Sequence, residues 1–310
     1  MASIVAAAPW HTRWAAMRRW WARDHQTLTA YLFLLPNIVG FLAFSALPVL
    51  AALVLSLYDW DLLLGRSFVG LGNFRQLLDD AVFRAAFVNT FYFSAVSVPL
   101  SVGLGLAAAL LTNQTLRGVT IFRGIFLLPY VTITVALSLV WKWLYLPNVG
   151  LMNQLLALVG IAGPAWLVDP IWAMPGLILM SAWKSFGYNM VLFLAGLQSI
   201  PQHLYEAAMI DGATAWRRFL HVTLPMLSPT TFFVVVIALI NSFQVFDQAL
   251  IMTNGGPGTA TTTLVLHIYQ VGFQSFHMGY AAAVAWVLFA VVFAFTVVQF
   301  RAQRRWVTYE

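Results

Sequence analysis

Lys184 and Asp247 are charged residues set inside apolar runs of the chain, in the stretches 171–197 and 229–253. A charge in such a run is costly to place in hydrocarbon, so by default it marks a functional position. Three chemistries are open to the pair: mutual neutralisation across a helix bundle, contact with a polar solute, or relay of a proton. Other polar side chains accompany them. Tyr130 and Thr134 follow Pro129 in the stretch 121–146, Ser181 and Trp183 precede Lys184, and Asn241, Ser242 and Gln244 precede Asp247. Aromatic faces beside hydroxyl and amide groups suit a sugar, whose C–H faces pack on rings and whose edges exchange hydrogen bonds. The same residues also suit plain interhelical packing, with hydroxyls bonded to carbonyls of their own helix. Catalytic chemistry has little to work with. There is no cysteine, His221, His267 and His277 lack paired metal-ligand spacing, and no paired carboxylates or triad occur in the runs. A Gly-x4-Gly-Lys-Ser/Thr phosphate loop is also missing, so the chain carries no recognisable nucleotide engine.

The elements that must position these groups are membrane helices. Of 310 residues, 61% are hydrophobic and 8% charged, too few charges to cover a soluble domain of this length. Six apolar runs, at 31–57, 87–112, 121–146, 171–197, 229–253 and 278–300, each exceed the roughly 20 residues that cross a bilayer as a helix. Backbone groups in lipid must be bonded internally, and runs this long fit helices rather than barrel strands. The expectation is an all-α, polytopic membrane protein with six transmembrane helices. Its parts are an N-terminal tail over 1–30, a membrane domain over 31–300 and a short tail over 301–310. The first run is too long for the core of a cleavable signal peptide and is read as a span.

An even number of spans puts both termini on one side. Eleven Lys/Arg lie on that side and four opposite, so the termini are expected in the cytoplasm. The net charge of +6 is scattered through short loops, which fits an orientation signal in lipid better than a nucleic-acid face. In the N-terminal tail, Trp10, Trp14, Met17 and Trp21 recur at helical spacing among Arg18, Arg19 and Arg23, which suits either an interfacial helix or a basic tail that fixes topology.

Between the fourth and fifth runs, residues 198–228 form a polar, helix-like loop on the cytoplasmic side. Ser199-Ile-Pro201-Gln202 reads as a helix start capped by Ser199, running to about Asp211. Gly212 then offers a stop, and Thr214 opens a second short helix bearing Trp216, Arg217 and Arg218. Ala207 and Ala208 permit close approach of another surface, Tyr205, Met209 and Ile210 supply apolar area, and Glu206 can pair with a basic group. By physics alone the loop fits either a protein partner or a bed of lipid headgroups. At Thr253-Asn-Gly-Gly-Pro257 a turn closes the fifth run on the outside, fit either for a solute receptor or for turn chemistry alone.

Glu206-Ala-Ala208, Gly212 and Val222-Thr-Leu-Pro225 together resemble the EAA motif of permease subunits of binding-protein-dependent ABC importers. Ala195-Gly-Leu-Gln-Ser-Ile-Pro201, Phe243-Gln-Val-Phe-Asp247, Met252-Thr-Asn-Gly-Gly-Pro257, Val69-Gly-Leu-Gly-Asn-Phe74 and Gly150-Leu-Met-Asn153 are similar to the carbohydrate branch of that family, the maltose and glycerol-phosphate permeases. The resemblance implies a type I permease fold with a cytoplasmic coupling helix between spans four and five. It implies ATPase coupling through Glu206, Ala207, Ala208, Asp211, Gly212 and Arg217. A mid-membrane sugar site is implied at Tyr130, Thr134, Ser181, Trp183, Asn241, Ser242 and Gln244. Implied partners are a homologous second permease, two ATPases that carry the ATP and Mg, and an extracytoplasmic solute-binding protein, all at a bacterial or archaeal cytoplasmic membrane. His203, where an acidic residue is usual, and Val222, where isoleucine is usual, depart from the pattern. The alternative from another class is a proton-coupled secondary transporter that uses Asp247 or Lys184.

Overall fold

The computed structural model describes residues 27–61, 65–114 and 117–306, and the Trp/Arg segment of the N-terminal tail lies outside them. Two compact units divide at Val54. The described part of the first is the helix α1, Thr27–Leu55, up to that boundary. Its apolar side chains point outward all round; Phe33 and Phe44 are 82% and 85% exposed within this chain. A helix apolar on every side is at home in lipid or against other membrane helices.

The second unit begins with a feature that the expectation of a wholly helical chain did not include. Tyr58–Asp61 (β1) and Gly65–Phe68 (β2) pair antiparallel as a two-stranded ribbon. Tyr58, Trp60 and Phe68 give it the aromatic content that strands favour. The ribbon leads into α2, Gly72–Asp79, where buried Asn73 donates to the carbonyls of Ser56 and Tyr58 at 2.8 and 2.9 Å. Those bonds tie the Val69–Phe74 motif to the chain entering the ribbon.

The spans follow. α3, Ala81–Thr112, and α7, Pro170–Ser199, are continuous, as is α12, Met278–Trp306. Asp80 and Asp169 cap the first two by accepting from Val82 and Ile171. With α1 these are, among the described residues, the four helices long and apolar enough to cross a membrane unaided. Two bent pairs bring the number to as many as six, the number of apolar runs, if each pair is one span. α4, Val119–Val131, and α5, Thr134–Leu144, meet at 97°, and the short α6, Leu151–Leu158, follows; α9, Ala215–Met226, and α10, Ser228–Phe243, meet at 65°. Pro129 and the β-branched run Val131-Thr-Ile-Thr-Val135 explain the first bend, since both disfavour continued helix.

The run 229–253 is not one helix. α10 stops at Phe243, and a separate wide turn, Ala249–Thr253, follows. The Ser242 hydroxyl bonds back to the Leu239 carbonyl at 2.8 Å, and the freed Val245 carbonyl accepts from Thr263 at 2.9 Å. The turn after Thr253 is fixed by side chains: the Thr253 and Thr261 hydroxyls are 2.7 Å apart, and Asn89 reaches the Thr259 and Thr262 carbonyls.

α3 lies along α7, and small residues make that possible. Gly105 faces Asn189 so closely that a Cβ would come within 2.5 Å of the asparagine's own Cβ, whereas a Cβ at Gly103 would meet nothing within 4 Å. Ala108 and Ala109 continue the face against Met190, Phe193 and Leu197.

Asp80, just before α3, and His267 of α11, Leu264–Tyr269, meet Tyr280 in the first turn of α12 as a polar knot. Burial alone would raise the Asp80 carboxyl. The Tyr280 hydroxyl, the backbone N–H groups of Phe83 and Val82 and the charge of His267 outweigh it and hold that carboxyl below its ordinary range. Burial pushes His267 below the ordinary imidazole range, against the pull of Asp80. Its Nε2 stands 3.5 Å from the carboxylate, longer than a normal hydrogen bond, and has no other partner. Both groups release protons on folding, so their stabilisation is complete above the unfolded pKa and lost as pH falls. For His267 the loss begins near pH ~6.5. Thermal melts of the purified protein are expected to fall between neutral pH and pH ~5, and His267→Gln should flatten that slope.

Candidate functional site

Where the spans bend, their polar side chains converge. A cavity of about 420 Å³ is lined by residues of α3, α4, α5, α7 and α10, together with Gln248 from the segment after α10. Five of the seven residues singled out from the sequence line it: Tyr130, Thr134, Ser181, Asn241 and Ser242.

The bend between α4 and α5 supplies the first two. Breaking a helix in hydrocarbon frees carbonyls that need donors. Here Thr132 Oγ1 donates to the Leu128 carbonyl at 2.9 Å and Lys184 Nζ to the Tyr130 carbonyl at 3.2 Å. The Lys184 ammonium also stands 5.3 Å from the centroid of the Tyr130 ring, which is stacked on Tyr188 at 4.5 Å. α4 approaches α7 this closely because residue 187 is glycine: a Cβ there would sit 1.8 Å from the Phe126 carbonyl oxygen.

Two residues singled out from the sequence are placed elsewhere. Trp183 is half-buried against Trp141, with ring centroids 5.3 Å apart, in the cluster that also holds Tyr145 and Trp166. The turn of α7 carries it away from the cavity that Ser181 and Lys184 face. Trp183→Ala is therefore expected to lower stability by about 3 kcal/mol, the low end of the range for a large aromatic because the ring is only half-buried. Apparent substrate affinity in the folded fraction should stay unchanged; melting curves beside uptake kinetics check both. Gln244 falls one residue beyond α10 and is exposed, because the helix stops instead of carrying it onto the lining face. Gln248 takes that place, and its Nε2 donates to Ser181 Oγ at 2.9 Å.

Further lining residues escaped the sequence reading. Ser97 and Ser101 of α3 line the cavity, and Ser94 beside them accepts from Ser242 at 2.8 Å. Their i, i+3, i+7 spacing in an apolar helix was the available signal. Ser185, Tyr188 and Asn189 extend the α7 wall. Lys184 lines the cavity and Asp247 does not; no ion pair within 4.0 Å joins them among the described residues. No cluster of three or more potential metal ligands occurs among the described residues.

The polar loop after α7 has a defined shape. α8, Gln202–Ile210, carries Glu206, Ala207 and Ala208, with Glu206 and Ala207 exposed. Ser199 is not its cap: its hydroxyl bonds back to the Gly196 carbonyl at 2.7 Å, and Pro201 holds the cap position. Asp211 ends the helix and Gly212 turns the chain at φ +72°, a conformation that favours glycine. Thr214 then caps α9 through the Arg217 amide. α8 and α9 fold on one another through the Tyr205 and Thr223 hydroxyls, 3.0 Å apart. The elbow leaves Met209, Ile210 and Trp216 at 51%, 87% and 66% exposure. Exposed apolar side chains grouped on a polar elbow are the kind of surface that marks an interaction site.

Comparison with known proteins covers most of the chain. Residues 101–307 match the family described as binding-protein-dependent transport system inner membrane component. The chain is 37% identical to the probable ABC transporter permease protein YesP of Bacillus subtilis, over 95% of this chain and 96% of that protein. With the lactose transport system permease protein LacF of Rhizobium radiobacter it shares 38% identity over 91% and 96%. Among solved structures it resembles a chain of a bacterial alginate ABC transporter in complex with an alginate pentasaccharide-bound periplasmic protein, at a TM-score of 0.81 and 26% identity, covering 93% of this chain and 98% of that one. The bent spans, the exposed elbow and these matches lead to one conclusion: the chain is a membrane-embedded transport component that belongs to the permeases of binding-protein-dependent ABC importers.

Proposed function

We propose that this permease carries a sugar or sugar-like solute across a bacterial or archaeal cytoplasmic membrane by alternating access, as half of a pathway completed by a homologous permease. The observation that carries the reading is the cavity at the bends of the spans, where Tyr130, Thr134, Ser181, Asn241, Ser242 and Gln248 set hydroxyls, amides and one aromatic face among apolar walls. Two ATPases bind ATP and Mg below, and this chain has no nucleotide site of its own. Their closure pulls the elbow at Glu206, Ala207, Ala208, Asp211, Gly212 and Arg217 and turns the cavity toward the outside. A solute-binding protein delivers the sugar there, and both partners bias the same two states. The Lys/Arg asymmetry supports cytoplasmic termini. Names of relatives, among them the lactose permease, support the carbohydrate class.

Purification of the tagged chain with its partners, followed by uptake of a labelled carbohydrate panel into proteoliposomes, tests this. Uptake should require ATP and stop when the ATPase is disabled. Uptake that survives a disabled ATPase but collapses with an uncoupler replaces this reading with proton coupling through Asp247 or Lys184.

A further inference from the structure

Among the residues that line the cavity, one carries a charge, Lys184, and none is a carboxylate. An ammonium has three N–H donors. One is used on the Tyr130 carbonyl, and Asp247 neither lines the cavity nor closes on Lys184 within 4.0 Å. Asp247 attracts the ammonium from a distance without pairing with it, so the positive charge still faces the space where the solute passes. A second donor in the wall is unsatisfied. Asn189, on the same helix, is 3% exposed, and its Nδ2 is buried without a hydrogen-bond partner. A buried amide hydrogen left unpaired is costly unless something supplies an acceptor. Gly105 packs against the Cβ of Asn189, so the side chain is held at the wall by backbone contact. A neutral sugar offers hydroxyls that donate as readily as they accept. This wall instead presents a cation and an orphan donor, with no carboxylate among its own lining residues.

We propose that the cavity selects a sugar bearing an oxyanion, a carboxylate or a phosphate, which Lys184 meets as counter-ion and which Asn189 assists as hydrogen-bond donor. This rests on the sugar-importer reading above and narrows it. Lys184 then has two tasks: one N–H holds the bend of the third span, and the others meet the solute.

The purified transporter complex, without its solute-binding protein, is titrated calorimetrically with three probes: digalacturonate, trehalose 6-phosphate and neutral lactose. At least one acid should bind about tenfold more tightly than lactose, the scale of a charge-assisted hydrogen bond. The two acid arms separate carboxylate from phosphate. Lys184→Gln keeps a donor for the Tyr130 carbonyl but removes the charge, and should reduce the ratio of acid to lactose affinity to about threefold or less. Lys184→Arg should preserve the ratio. The wild-type ratio decides the matter even where Lys184→Gln fails to assemble. Lactose bound as tightly as both acids, or a preference that survives Lys184→Gln, overturns the anion assignment and leaves the sugar reading standing. Binding of none of the three overturns both.

Discussion

Gly212→Pro is expected to abolish ATP-driven uptake, by on the order of a hundredfold, near the top of the ordinary range of coupling energies between sites, while the chain still inserts and assembles. Gly212 turns the chain between α8 and α9 at φ +72°, and proline holds φ near −65°. The substitution also removes the Gly212 N–H that donates to the Met209 carbonyl at 3.1 Å. Space is not the issue, because a Cβ at this position would meet nothing within 4 Å. The effect is therefore conformational, and a graded series isolates it. Gly212→Ala pays only the left-handed penalty of about 1–2 kcal/mol and should leave partial coupling. Because the elbow is exposed, the spans and cavity are untouched, so substrate binding in detergent should persist as transport disappears. ATPase activity that no longer responds to substrate, measured beside uptake, distinguishes this from loss of folding. Glu206→Lys should act in the same direction by reversing a charge at the same exposed face. Normal ATP-dependent uptake in both variants removes the coupling role from the elbow.

Gly187→Ala is expected to destabilise the protein by about 3 kcal/mol, at the upper end of ordinary overpacking costs. The sign is the informative part, since glycine to alanine inside an exposed helix normally gains about 1 kcal/mol. Here the new carbon would lie 1.8 Å from the Phe126 carbonyl oxygen and 2.6 Å from its carbon, so backbone rather than a flexible side chain must yield. Separation of α4 from α7 would break the Tyr130–Tyr188 stack and the Lys184 bond to the Tyr130 carbonyl. Solute affinity should therefore fall together with stability. Gly103→Ala is the control: it sits on α3 with open space around it and should be neutral or slightly stabilising. Melting temperatures of the two variants, measured in one detergent, check the contrast.

Hydropathy made the spans legible, because length and apolar content suffice to declare a membrane helix whatever it packs against. It did not reveal where helices stop. The run 229–253 reads as continuous, yet Ser242 and Gln244 sit where the backbone leaves the helix, which exchanges Gln244 for Gln248 at the cavity wall. Trp183 stands away from the cavity for a related reason. Residue type suggested a sugar platform, but its direction around α7 depends on how that helix is rotated against α5, which periodicity in an apolar run does not encode. The serines of α3 carry a spacing signal, but hydroxyls in membrane helices so often bond their own backbone that spacing alone does not mark a lining face. Asn153 illustrates the opposite case. Its motif was recognisable from resemblance, but its work is visible only in three dimensions: it donates to the Pro147 and Pro164 carbonyls and accepts from Trp166. The elbow was the most legible part, since Gly212 and Thr214 act locally, although Ser199 turned its hydroxyl back to the preceding helix.

The chain contains no cysteine, so a single thiol at Met209, 51% exposed on the elbow, gives a crosslinking probe with no competing site in this subunit. In membranes that hold the assembled transporter, a photoreactive label on Met209→Cys should join the chain to an ATP-hydrolysing subunit, with a yield that changes when nucleotide is added. Crosslinks that reach only lipid, with or without nucleotide, contradict the account.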